Sequence, residues 1–132
     1  MTRFWFKPTI SALLLSAVAL SGSVSARTPK GVVVPNAMAP AFDKYVGCFE
    51  QHMDMSSLQS PSGLKSAVDK ALAACETRRA ELVREAETAM IADPIYPDAT
   101  SRSRAVAEAF DTEDAIRRAM GEGRILYEDE SN

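Results

Sequence analysis

The stretch Leu64–Met90, LKSAVDKALAACETRRAELVREAETAM, decides the fold. Its apolar residues fall at Leu64, Val68, Leu72, Cys75, Leu82, Ala86 and Met90, with Ala67, Ala71 and Ala89 beside them. That three-and-four spacing is one face of an α-helix, and it is sustained for about seven turns without a proline. The opposite face carries Lys65, Asp69, Lys70, Glu76, Arg84 and Glu87, the mixed signs of a solvated surface. The reading is one long helix with Cys75 at the centre of its buried stripe.

Upstream, Phe42, Tyr45, Val46, Phe49 and Met53 repeat at helical spacing and predict a first helix with an aromatic core face. Cys48 lies on the flank of that face. Asp54–Ser62 reads as a loop, and Ser60 followed by Pro61 is a cap-and-first-turn signal for the long helix. In this loop Leu58 is expected to plug the core, and Met55 lies beside it as a further contact residue. Asp93-Pro94 and Tyr96-Pro97 end the long helix, because proline lacks the amide donor and restricts the residue before it. A final helix is expected from about Ser101 to Met120, capped by Asp98 or Thr100 and stopped by Gly121. Its face is Val106, Ala109, Phe110, Ile116 and Met120, with Glu108, Asp111, Asp114, Arg117 and Arg118 largely outside.

The fold class is therefore all-α: a small bundle of about three helices, with a disulfide linking the first two and a mobile acidic C-terminal tail. Residues 1–26 have the layout of a signal peptide. Arg3 and Lys7 precede the apolar run Ile10–Leu20, and Val24-Ser25-Ala26 supplies small residues for cleavage. That run is too short for the roughly 20 residues of a bilayer-spanning helix, so no membrane anchor is expected after processing. Residues 27–40 read as a flexible leader, 41–120 as the helical domain and 121–132 as the tail. The expected location is periplasmic or secreted.

An exported chain with two cysteines predicts one bond, Cys48 to Cys75. The loop it closes, about 27 residues, is worth roughly 3–4 kcal/mol in the chain-entropy account. The bridge is asymmetric about the turn. Cys48 stands close before it and Cys75 three to four turns beyond, so the segment Asp54–Gly63 must take up the offset.

Removing Arg3 and Lys7 from the 15 basic residues leaves 13 against 18 acidic ones, a net charge of −5. This acidic balance weighs against nucleic acid and against docking on anionic lipid. His52 is the single histidine, and its four-residue spacing from Cys48 is read as a helix-end residue beside a bonded cysteine. By spacing alone, no cluster of three or four zinc ligands is apparent. No Cys-x-x-Cys, phosphate loop or nucleophile elbow occurs. Asp111, Glu113 and Asp114, like the tail carboxylates, read as solvated. Arg79 falls on the buried stripe, where it either snorkels or pairs with a carboxylate from another element; an anion site is the sharper reading.

The expectation is an exported, non-catalytic structural or protein-interaction module with an unidentified protein partner and no cofactor. The alternative is a small apolar-ligand binder with a cavity lined by the first-helix aromatics. Candidate contact residues on either reading are Phe42, Tyr45, Phe49, Met55, Leu58 and Arg79.

Overall fold

The structure is a computed structural model and describes residues 31–124; the predicted signal peptide and the tail from residue 125 onward lie outside the described residues. All regular structure described is helical. Four helices form instead of three: α1 (Ala39–His52), α2 (Pro61–Ala74), α3 (Glu76–Ala89) and α4 (Ala99–Gly121). Short 3₁₀ turns at Asn36–Met38, Met55–Gln59 and Met90–Ala92 flank them.

The extra helix comes from a one-residue joint in the long stretch. Cys75 adopts φ −94°, ψ 0° between α2 and α3. Its amide is shared between the Ala71 and Leu72 carbonyls at 3.1 and 3.2 Å, and the ladder resumes where the Arg79 N–H donates to the Cys75 carbonyl at 2.8 Å. Neither proline nor glycine marks the joint. What distinguishes it is a covalent tie, since Cys75 is bonded to Cys48 with a Cα separation of 6.1 Å. The bridge therefore ties α1 to the head of α3, and not to the body of a second helix as the unbroken stripe implied.

The bent α2–α3 rod is the spine of the bundle. Along α1, Phe42 and Tyr45 share a core with Leu82 and Ala86 of α3, while Phe49 meets Val68 and Ala71 of α2. Along α4, Ser103 reaches Glu87, Arg79 meets Asp111 and Asp114, and Gly121 lies against Val68. Both α1 and α4 thus run antiparallel to the spine and parallel to each other. The core divides accordingly. The larger cluster centres on Met38, Phe42, Tyr45, Cys75, Leu82, Met90, Val106 and Phe110, and the smaller on Phe49, Val68 and Ala71. Met38 is fully buried, and Val32 and Val34 pack against the larger cluster.

The offset about the first turn is resolved locally. α1 stops at His52, about 10 residues short of matching the start of α2, or about 15 Å of helix. The 3₁₀ turn Met55–Gln59 fills that space beside the first turn of α2. Asp54 anchors it by accepting from the Ser56 amide (3.0 Å), Ser56 Oγ (2.6 Å) and Ser57 Oγ (2.9 Å), which holds its carboxyl below the ordinary value. Ser60 then caps α2 through the Gly63 amide at 3.1 Å, as its place before Pro61 predicts. At Gly63 an added Cβ would overlap the Ser57 carbonyl oxygen and lie 2.8 Å from Ser60 Oγ. Gly63→Ala is expected to destabilise the protein by about 1–3 kcal/mol, as overpacking against backbone does. Urea unfolding measures it, and a change below about 0.5 kcal/mol would contradict this packing.

Asp98 caps α4, accepting from the Ser101 amide at 2.8 Å; that bond lowers its carboxyl pKa. The other end departs from expectation. Gly121 is the last residue inside α4, and Gly123, with φ +69°, is the stop. The Arg124 amide donates to Ala119 and the Gly123 amide to Met120, the paired bonds of a Schellman ending. Gly121 has a packing role instead: its Cβ position is 3.0 Å from Val68 Cβ, so the missing side chain lets α4 close onto α2.

Candidate functional site

Two side-chain groups and two exposed apolar pairs are the features with chemistry to offer. The first group surrounds Arg79. Because Arg79 lies on the core face of α3, its guanidinium is carried toward α4. There Nη2 donates to Asp111 at 2.6 Å and Nε to Asp114 at 2.9 Å. The same guanidinium lies 5.6 Å from the centroid of the Phe110 ring. Asp114 also accepts from the Tyr45 hydroxyl, so α1, α3 and α4 meet at one carboxylate. Burial draws the Arg79 pKa down, but Asp114 and Asp111 outweigh it and hold the guanidinium above its ordinary value. These residues form part of an open groove with Leu72, Glu76 and Arg118.

Chemically this is a closed ion pair. Asp114 is engaged by two donors and Arg79 by two carboxylates. Of the alternatives for Arg79, the pair with another element is the one found. Asp114 and Glu113 are buried, not solvated. Glu113 accepts from Arg117 at 2.6 Å, and Arg117 stacks 4.5 Å from the Phe49 centroid. The missed signal is that Asp114 lies four residues after Phe110, on the core face of α4, opposite an arginine that interrupts the stripe of α3.

Tyr45 supplies a pH test. Burial first, and then its bond to Asp114, push its phenol well above the ordinary value of about 10. The folded protein thus retains a proton that the unfolded chain releases. The stabilisation from this group is complete below about pH 10 and is lost as pH rises toward the folded-state pKa. At about pH 11 the folded protein is expected to show less phenolate absorbance than the denatured chain by the share of Tyr45, and Tyr45→Phe should abolish that shortfall. Equal absorbance in the folded and denatured wild type would refute the buried bond.

The second group is sulfur and imidazole. His52, in the last turn of α1, places Nδ1 3.8 Å from Cys48 Sγ and 3.7 Å from Cys75 Sγ. Nδ1 is also 2.9 Å from the Cys48 carbonyl oxygen, which can only accept, so Nδ1 carries the proton in this arrangement. Cys75 is fully buried, Cys48 half-buried and His52 exposed. The disulfide pairing is as the sequence predicts.

The remaining candidate residues divide cleanly. Phe42 packs edge-on against Phe110 at 5.5 Å, and Tyr45 lies tilted against the same ring at 5.2 Å. Phe49 is buried in the smaller cluster. Met55 and Leu58 are exposed at 69% and 38%, at the pole where α2 begins, so Leu58 does not plug the core. At the opposite pole Ile91 and Ile95 are 66% and 77% exposed, so of the Pro-flanked pair Ile95-Tyr96, which reads in the sequence as a link packed by its side chains, only Tyr96 packs against the core. Every buried side-chain nitrogen or oxygen among the described residues has a hydrogen-bond partner. No described helix is long and apolar enough to cross a membrane. No family model, curated protein or solved structure matches this chain.

Proposed function

We propose that the protein is an exported, non-catalytic helical module that acts in the cell envelope or outside the cell by contacting another protein. The observation that carries this reading is the contrast between a filled interior and apolar residues left outside it. Phe42, Tyr45 and Phe49, the residues that would line an apolar-ligand cavity, are buried against Phe110, Leu82, Val68 and their neighbours. Met55 and Leu58 at one pole, and Ile91 and Ile95 at the other, face solvent. Exposed apolar pairs on an otherwise charged surface are suited to a protein contact. The closed pairing of Arg79, Asp111, Asp114 and Tyr45 supports a structural role for the polar cluster over a catalytic one. Export rests on the leader pattern of residues 1–26 and agrees with the Cys48–Cys75 bond.

Photo-crosslinking in the native cell envelope tests the proposal, with the probe replacing Leu58 in one variant and Ile91 in another. The expected result is a discrete adduct heavier than the protein itself, suppressed when an aspartate is placed at the neighbouring Met55 or Ile95. Absence of an adduct from both positions would overturn it.

A further inference from the structure

We propose that the reduced protein is a zinc-binding protein, holding one Zn²⁺ through Cys48 Sγ, Cys75 Sγ and His52 Nδ1. This goes beyond the interaction reading and is independent of it. These three ligand atoms lie within 4.8 Å of one another, drawn from the last turns of α1 and the α2–α3 joint. Tetrahedral zinc, with Zn–S near 2.3 Å and Zn–N near 2.0–2.1 Å, needs sulfur and nitrogen about 3.6 Å apart and two sulfurs about 3.8 Å apart. In the disulfide form Nδ1 lies 3.7 and 3.8 Å from the two sulfurs, so the reduced site needs the sulfurs to part while His52 stays beside both. Opening the bond parts them, as the two sulfurs move from covalent to non-bonded separation. Two thiolates and an imidazole are the soft and borderline donors that select zinc over calcium or magnesium. Three protein ligands with exposed His52 at the rim leave the fourth position to water.

The chemistry balances with an external dithiol as reductant. Its thiolate attacks Cys48 Sγ, the more accessible sulfur, and Cys75 leaves as a thiolate. The second thiol of the reductant resolves the mixed disulfide, freeing Cys48 and closing the reductant into its own disulfide, so two electrons pass from the dithiol to the protein. Zinc then takes the place of the thiol protons. The His52 proton shifts from Nδ1 to Nε2, and the ring turns so that the freed Nδ1 lone pair leaves the Cys48 carbonyl and faces the metal. The metal thus replaces the covalent bond as the clip between α1 and the joint, and its binding is coupled to folding.

The test uses the full processed chain, reduced with a phosphine, desalted without oxygen and titrated with Co²⁺ and then Zn²⁺ while circular dichroism follows helicity. Expected are thiolate-to-cobalt charge-transfer and tetrahedral d–d bands that saturate at one equivalent per chain and vanish on adding Zn²⁺. The oxidised protein should show none. His52→Ala, an exposed change that leaves the disulfide able to form, should weaken metal binding of the reduced protein about tenfold or more. If reduction melts the helices, one equivalent of Zn²⁺ must restore them. Absence of the bands, saturation at one metal per two chains, unchanged affinity in His52→Ala, or failure of Zn²⁺ to restore lost helicity would each overturn the assignment.

Discussion

Phe110→Ala is expected to lower the free energy of unfolding by about 3–5 kcal/mol, the range for truncating a fully buried phenylalanine. Phe110 has no exposure, and it is the ring against which Phe42 and Tyr45 of α1 and the Arg79 guanidinium of α3 all pack. The other buried apolar side chains of α4, Val106, Ala109 and Ala119, are smaller, and Met120 packs half-buried against the lesser cluster. One side chain therefore supplies much of the apolar contact that holds α4 to both other rods. Its removal also leaves the Arg79–Asp114 pair beside a cavity. For a domain with a total stability of about 5–10 kcal/mol, the loss should move Tm down by well over 10 °C. Phe110→Leu should lose less than half as much. A truncation costing under about 1 kcal/mol would show that α4 is held by something other than this ring.

The Cys48→Ala/Cys75→Ala double variant should lose roughly 3–4 kcal/mol, the chain-entropy value for the loop that the bond closes. The bond lies where the two core clusters meet, because Cys75 belongs to the larger and Ala71, one turn away, to the smaller. Guanidinium unfolding with a chelator present measures the covalent contribution without any metal. Because Cys75 is fully buried among apolar neighbours, alanine is the substitution that avoids burying an unpaired hydroxyl. Stability equal to that of the oxidised wild type would mean that helix packing alone fixes the joint.

Of the stripe Leu64, Val68, Leu72, Cys75, Leu82, Ala86 and Met90, all but Leu64 and Leu72 are fully buried and those two are half-buried, because helical periodicity records which face a helix must hide. The Ser60-Pro61 start and the Asp98 cap were legible for a similar reason: each is set by chemistry within four residues. The joint at Cys75 was not. No residue there breaks a helix, and the bend accompanies a bond to a residue 27 positions away. The Arg79 cluster was half legible. An arginine on a buried stripe announces a partner, but Asp111 and Asp114 are more than 30 residues distant and look like any acidic face. The grouping of His52 with both sulfurs was implicit in the expected Cys48–Cys75 bond and the Cys48–His52 spacing, but spacing along the chain alone does not display it as a cluster.

The parallel arrangement of α1 and α4 gives the molecule a mechanical axis. Because both run against the α2–α3 spine, the described chain enters at the pole holding Ile91 and Ile95 and leaves at the pole holding Leu58. Tension applied between its two ends would slide helices along one another instead of peeling them apart, so it would load many side-chain contacts at once. The cross-link between α1 and the spine would take that load covalently.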